Sequence, residues 1–185
     1  MERYKVEILR RGECRLFLPV SVTYGEDGDP KRIVILKHGF ARLGERSLLD
    51  AYTALGLLGI FADGMRDAAE HYLFPEDYEV NTETVYTDPE ASTVKLAFRP
   101  ARRLAADRMV LPGRTVLPER GNGILPDAFG ERVGGLASLL IPLVNEEAAQ
   151  AVRDGAALFR EDGFGPVQAF LELAEMRKRW CPAGF

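Results

Sequence analysis

Little in this chain points to redox or metal chemistry, because its 185 residues include only two cysteines and two histidines. Cys14 and Cys181 lie far apart, form no CxxC pair, and have only His38 and His71 to complete a ligand set, so no metal site is expected. Both thiols read as ordinary core or surface residues of a reducing compartment. Long apolar runs are lacking too. The longest apolar-rich stretch, Ala54 to Ala62, is too short to span a bilayer, which predicts no membrane insertion. The opening MERYKVEILR carries charges where a secretory signal needs an apolar run, so a cytoplasmic protein is expected. A strong charge of one sign is also missing: a net charge of −4 argues against a nucleic-acid partner. No G-x-S-x-G elbow, H-E-x-x-H pair or P-loop lysine motif occurs, so no catalytic residue and no cofactor is assigned.

What is present fits a folded globular chain, with 46% apolar and 28% charged residues. The patterning predicts an α+β fold. Tyr4 to Leu9 alternates as a half-buried strand does, Cys14 to Tyr24 is β-rich around Pro19, and Ile33 to Lys37 is β-branched, which together predict a three-stranded antiparallel meander. A long helix follows from Ser47 to about Leu73, with Ser47 as its cap and Asp50 answering it. Leu48, Tyr52, Leu55, Leu58, Phe61, Met65 and Ala69 form its apolar stripe, and Gly56, Gly59 and Gly64 imply close packing against another backbone. Pro75 ends it. Glu83 to Thr87 and Thr93 to Phe98 read as a β-hairpin around Asp88 to Ser92. The chain then divides into a Pro/Gly-rich basic loop over 101–130 and a helical part over 131–185, packed with residues 1–100 as one domain. In the helical part Asn145 caps one helix, and a last helix from Val167 to Trp180 turns Phe170, Leu173 and Ala174 inward.

The element order is that of a reduced protein-kinase fold. Val34-Ile35-Leu36-Lys37 resembles the string in which a third-strand lysine holds nucleotide phosphates, making Lys37 a candidate nucleotide or phosphate contact. The aspartates of kinase chemistry have no counterparts near Pro75-Glu76-Asp77 or before Phe98, and phosphoryl transfer depends on positioned metal and charge. SLLDAYTALGLLGIFADGMRDAAEHYLFPEDYEVNTETVYTD followed by STVKLAFRP, with the early Leu16-Phe17-Leu18-Pro19-Val20, resembles an uncharacterised bacterial family found N-terminal to forkhead-associated domains. The resemblance covers roughly residues 1–100 and implies a degenerate kinase-like domain with a non-catalytic regulatory role in signalling or secretion.

Charge is segmented along the chain. Asp63 to Glu90 holds nine acids and one base, whereas Arg99 to Arg120 holds six arginines against Asp107 and Glu119. The basic segment either pairs with the acidic one or offers Arg99, Arg102, Arg103, Arg108 and Arg114 to an acidic or phosphorylated protein partner, since arginine binds phosphate in a bidentate fork. The reading taken forward is a non-catalytic protein-interaction domain. Two alternatives stand beside it: a divergent nucleotide-binding enzyme using Lys37 and an acid such as Glu70, and a homodimeric structural subunit joined through the glycine-bearing helix or the Phe170 face.

Overall fold

A computed structural model describes residues 3–99, 126–160 and 166–181. The fold is α+β, with helices α1 (Arg3–Arg11), α2 (Ala51–Glu70), α3 (Pro126–Leu140), α4 (Glu146–Ala157) and α5 (Pro166–Arg179). Two small sheets complete it. Strands β1 (Val20–Tyr24) and β2 (Pro30–Ile35) form one antiparallel hairpin, and β3 (Ala41–Arg42), β4 (Val85–Thr87) and β5 (Val94–Leu96) form the other sheet in that order.

Helix α2 is the axis of the structure. Its Ala54, Leu55, Leu57, Leu58, Phe61, Ala62, Met65 and Ala68 are fully buried, so apolar contact surrounds most of its circumference. A helix buried on most sides needs neighbours on most sides: α3, α4 and α5 pack on it, and β5 touches it from the sheet. One core therefore joins Leu16, Phe17 and Leu96 of the first hundred residues to Val133, Leu136, Val152 and Leu173 of the helical part. At Gly155 of α4 a β-carbon would stand 2.9 Å from Leu173 and 3.1 Å from Leu55, so a larger residue would push those leucines aside where α2, α4 and α5 meet.

Several expectations are corrected. Tyr4 to Leu9 is helix, not strand: Val6 and Leu9 are buried one helical turn apart, and Lys5 lies beside them. The opening sheet therefore has two strands, and the chain from Leu16 to Leu18 instead lies alongside β5, where Leu18 N donates to Leu96 O at 2.8 Å and Leu96 N to Leu16 O at 2.7 Å. The long helix begins later than Ser47. Its cap is Asp50, whose Oδ1 accepts the Thr53 amide at 2.7 Å, because Leu49 is drawn away as donor to Leu143 O at 2.6 Å. Leu48 is consequently exposed rather than part of the buried stripe. The helix ends at Glu70, before Pro75, which opens a separate short 3-10 turn. The α2 glycines do sit at close contacts, but against the side chains of Arg177, Leu173 and Leu16. Helix α3 starts at Pro126, inside the segment expected to be loop up to 130, and Ala174 of α5 is exposed while Leu173 is buried.

Other expectations hold. Asn145 caps α4 through the Ala148 amide at 2.8 Å, and β4 pairs antiparallel with β5 across the Asp88 turn. Arg46 ties that turn down, donating to Thr87 Oγ1 at 2.8 Å and Thr87 O at 2.8 Å, and also to the carbonyls of Asp88 and Pro89. No helix among the described residues is long and apolar enough to cross a membrane.

Cys14 and Cys181 are both free thiols, the first buried and the second exposed. Burial pushes the Cys14 thiol up to about 12. The folded state thus keeps a proton that the unfolded chain releases near the ordinary thiol value of 9.0. Below that pH the two states bind equal protons and Cys14 has no effect. Above it the unfolded state binds fewer, so stability falls at up to ~1.4 kcal/mol per pH unit until the pH approaches the folded value. Buried Tyr78, whose phenol is also raised, chiefly by burial, adds to the loss at higher pH. Urea midpoints measured from pH 8 upward should decline more shallowly in Cys14→Ala, and a thiol reagent should label Cys181 at once but Cys14 only on unfolding. Two equally fast thiols in the native protein would contradict the burial of Cys14.

Candidate functional site

Two surfaces bring chemistry-bearing side chains together. The first is a groove of about 580 Å³ between α2 and α5. It is lined by Leu55, Gly56, Gly59, Ile60 and Leu173, and the spaces beside Gly56 and Gly59 are taken by Arg177 and Leu173 of α5. Arg177 of α5 lies across it, its guanidinium 3.9 Å from the centre of the Tyr52 ring and its Nε donating to Tyr52 O at 3.1 Å. A cation over an aromatic face is held by the ring quadrupole and still presents its remaining N–H groups outward. At the other end Arg15 bonds Asp67 through its amide at 2.7 Å and its Nε at 3.2 Å. Burial alone would raise the Asp67 carboxyl, but these contacts with Arg15 outweigh it and hold the carboxyl below its usual range.

Past Arg15 the depression continues as a second hollow of about 290 Å³, lined by Ile60, Asp63, Gly64 and the Thr93–Lys95 segment of the sheet. Ile60, 39% exposed, stands where the two hollows meet. The larger hollow is lined by the cations Arg15, Arg177 and Lys178 against one carboxylate, Asp63. Arg15 is shared with Asp63 and Asp67 and Lys178 with Glu175, so among the described lining residues Arg177 is the cation left to meet an acidic residue of a segment that carries apolar anchors.

The second surface is the sheet face turned away from α2. Arg42, Tyr86 and Lys95 are direct cross-strand partners on β3, β4 and β5, so their side chains share one face. On that face Leu18, Tyr86 and Ala97 make a small apolar cluster, with Ile35 and Phe40 packed against it. Lys37 reaches it from beyond β2, with Nζ 5.1 Å from the centre of the Tyr86 ring, and Lys95 Nζ lies 5.9 Å from that of Phe40. The turn between them explains this approach. His38 and Gly39 have φ of 39° and 86°, and Phe40 N donates to Lys37 O at 2.8 Å, so the chain reverses through two left-handed residues and sets Lys37 beside Phe40. Burial would raise the Tyr86 phenol, but hydrogen bonds and charge from Arg42 and Lys37 prevail and lower it.

Of the residues singled out from sequence, Lys37 thus joins a cluster, although Arg42, Tyr86 and Lys95 were not anticipated beside it. Lys37 and Glu70 are not brought together: Lys37 lies over the outer sheet face, while Glu70 ends α2 and acts on Arg15. Arg99 is exposed and pairs with Glu83, the internal pairing that charge segmentation allowed for. Arg102, Arg103, Arg108 and Arg114 lie outside the described residues. Phe170 stacks edge-on against Phe159 at 5.4 Å, lies under Arg66 at 5.6 Å and lines the α2–α5 groove. Among the described residues no group of histidine, cysteine and carboxylate side chains could hold a metal. No protein-family model matches the chain, and no curated protein matches it either.

Proposed function

We propose that this chain is a non-catalytic regulatory domain, cytoplasmic in location, that binds a protein partner through the α2–α5 groove. The observation that carries the reading is the groove itself, where Gly59 and Ile60 are accessible beside Arg177, which lies over Gly56 and Tyr52. Loops or surfaces used for contact are usually set on a rigid scaffold, and here the scaffold is the most deeply buried helix of the fold. The resemblance to domains that precede forkhead-associated modules supports the same role. The occupant is a short amphipathic segment whose apolar side chains pack on Gly59 and Ile60 while its acidic residues meet Arg177.

The test is selection of a displayed random-peptide library on the full chain. Sequences combining apolar anchors with acidic residues should be enriched, and binding of a selected peptide should weaken at least roughly tenfold in Ile60→Asp, which sets a like charge beside Asp63 and opposes acidic residues. Selection of no such sequence, or equal binding by the variant, would reject the groove as the docking site.

A further inference from the structure

We infer that the outer face of the β3-β4-β5 sheet is an oxyanion-binding site for a phosphate monoester, built from Lys37, Arg42 and Lys95 around Tyr86. The site is independent of the groove, which lies against α2. Pairing register places Arg42 and Lys95 on either side of Tyr86, two strand spacings or about 10 Å apart. Lys37 enters above the phenol from the His38-Gly39 turn. Three cations therefore converge on one small face, and among the described residues none of the three is in an ion pair.

Like charges gathered this closely repel, and a doubly charged anion seated among them removes the repulsion while gaining charge-assisted hydrogen bonds. The carboxylates acting on Arg42, Glu45 and Glu83, do so only through space, and Glu83 is already engaged by Arg99. Neighbouring surfaces differ in this respect. Arg15 is shared with Asp63 and Asp67, Arg10 with Glu7 and Lys178 with Glu175, so their charge is already answered. The rings of Phe40 and Tyr86 form an apolar backing that keeps the lysine stems in place and lowers the local polarity, which strengthens the contact with an anion. Because Tyr86 is held by Arg42 and Lys37, it also reports occupancy: neutralising those charges removes what lowers its phenol.

The experiment is a titration of the isotopically labelled full chain, followed by amide resonances at constant ionic strength. Inorganic phosphate, phosphoserine, phosphotyrosine and adenosine monophosphate are the probes, and chloride is the control. Saturable shifts at Lys37, Arg42, Tyr86 and Lys95 are expected. Preference for the phosphoamino acids indicates a modified protein and preference for the nucleotide a small-molecule ligand, either of which supports the inference, whereas inorganic phosphate matching the esters would overturn a monoester site. Lys37→Gln and Lys95→Gln, both at positions tolerant of a polar side chain, should each weaken binding roughly tenfold with unchanged melting temperature in the absence of ligand. Difference spectra against Tyr86→Phe should show its phenol titrating at higher pH once phosphate is bound. Shifts that equal those of chloride, or that persist unweakened in the Lys37→Gln/Lys95→Gln double variant, would overturn the site.

Discussion

Lys5→Met is expected to destabilise the protein by about 3–5 kcal/mol, the usual cost of removing one partner from a buried ion pair. The ammonium lies 2.7 Å from Asp77 Oδ1, and the two side chains are only 11% and 10% exposed. Asp77 has a second task, since its Oδ2 accepts the Phe74 amide at 3.1 Å and closes the 3-10 turn that begins at Pro75. Deleting the lysine therefore removes a close charge partner of Asp77 where water reaches poorly, at the joint between α1 and that turn. A second substitution separates charge from packing. Asp77→Asn keeps a side-chain oxygen for the Phe74 amide while removing the charge, so the Lys5→Met/Asp77→Asn pair should recover more than half of the loss. Urea midpoints with unchanged slopes would measure both. A loss below about 1 kcal/mol for Lys5→Met would place the pair among solvated surface pairs instead.

Phe61→Ala should cost a further amount of the same size, about 3–5 kcal/mol, because a fully buried ring at the centre of α2 is replaced by a cavity. Leu48→Ala is the matched control. Leu48 belongs to the same apolar stripe in sequence but is 78% exposed, so its loss should stay within about 0.5 kcal/mol. The manner of unfolding matters as much as the size. The one tryptophan, Trp180, follows the end of α5 and packs on the core that contains Phe61. Its fluorescence and the helical circular dichroism should therefore fall together at a single, lower midpoint. Separation of the two signals would mean that the helical part folds independently of residues 1–100.

How far these features are legible in the sequence depends on whether they are local. Asn145 was readable because an N-cap satisfies amides only two or three residues away, and the Asp88 hairpin was readable from its turn residues. Tyr4 to Leu9 was not. In six residues, apolar positions at Tyr4, Val6 and Ile8 suit a strand as well as Val6 and Leu9 suit a helix, and only packing against the rest of the chain selects between them. Ser47 and Asp50 are both competent caps. The choice is made by Leu143, whose carbonyl takes the Leu49 amide from nearly a hundred residues away in sequence. The oxyanion face was hidden for a similar reason. A lysine ending an apolar strand is visible at Lys37 and Lys95 lies in the legible hairpin, but Arg42 comes from β3, whose pairing with β4 more than forty residues away no local pattern encodes.

The contact of Leu16–Leu18 with Leu96 also bears on the order in which the molecule assembles. The partners are about eighty residues apart, so the loop that joins them is long and its closure costs entropy before any contact is rewarded. Helix α2 and both hairpins close over short spans and have no such wait. During synthesis the edge of the second sheet must stay open until β5 emerges, and β3 lacks its partner until β4 does. The Leu16–Leu18 segment, made first, thus waits for β5, and the packing of α2 waits longer still for α5, whose Arg177 meets Tyr52 across 125 residues.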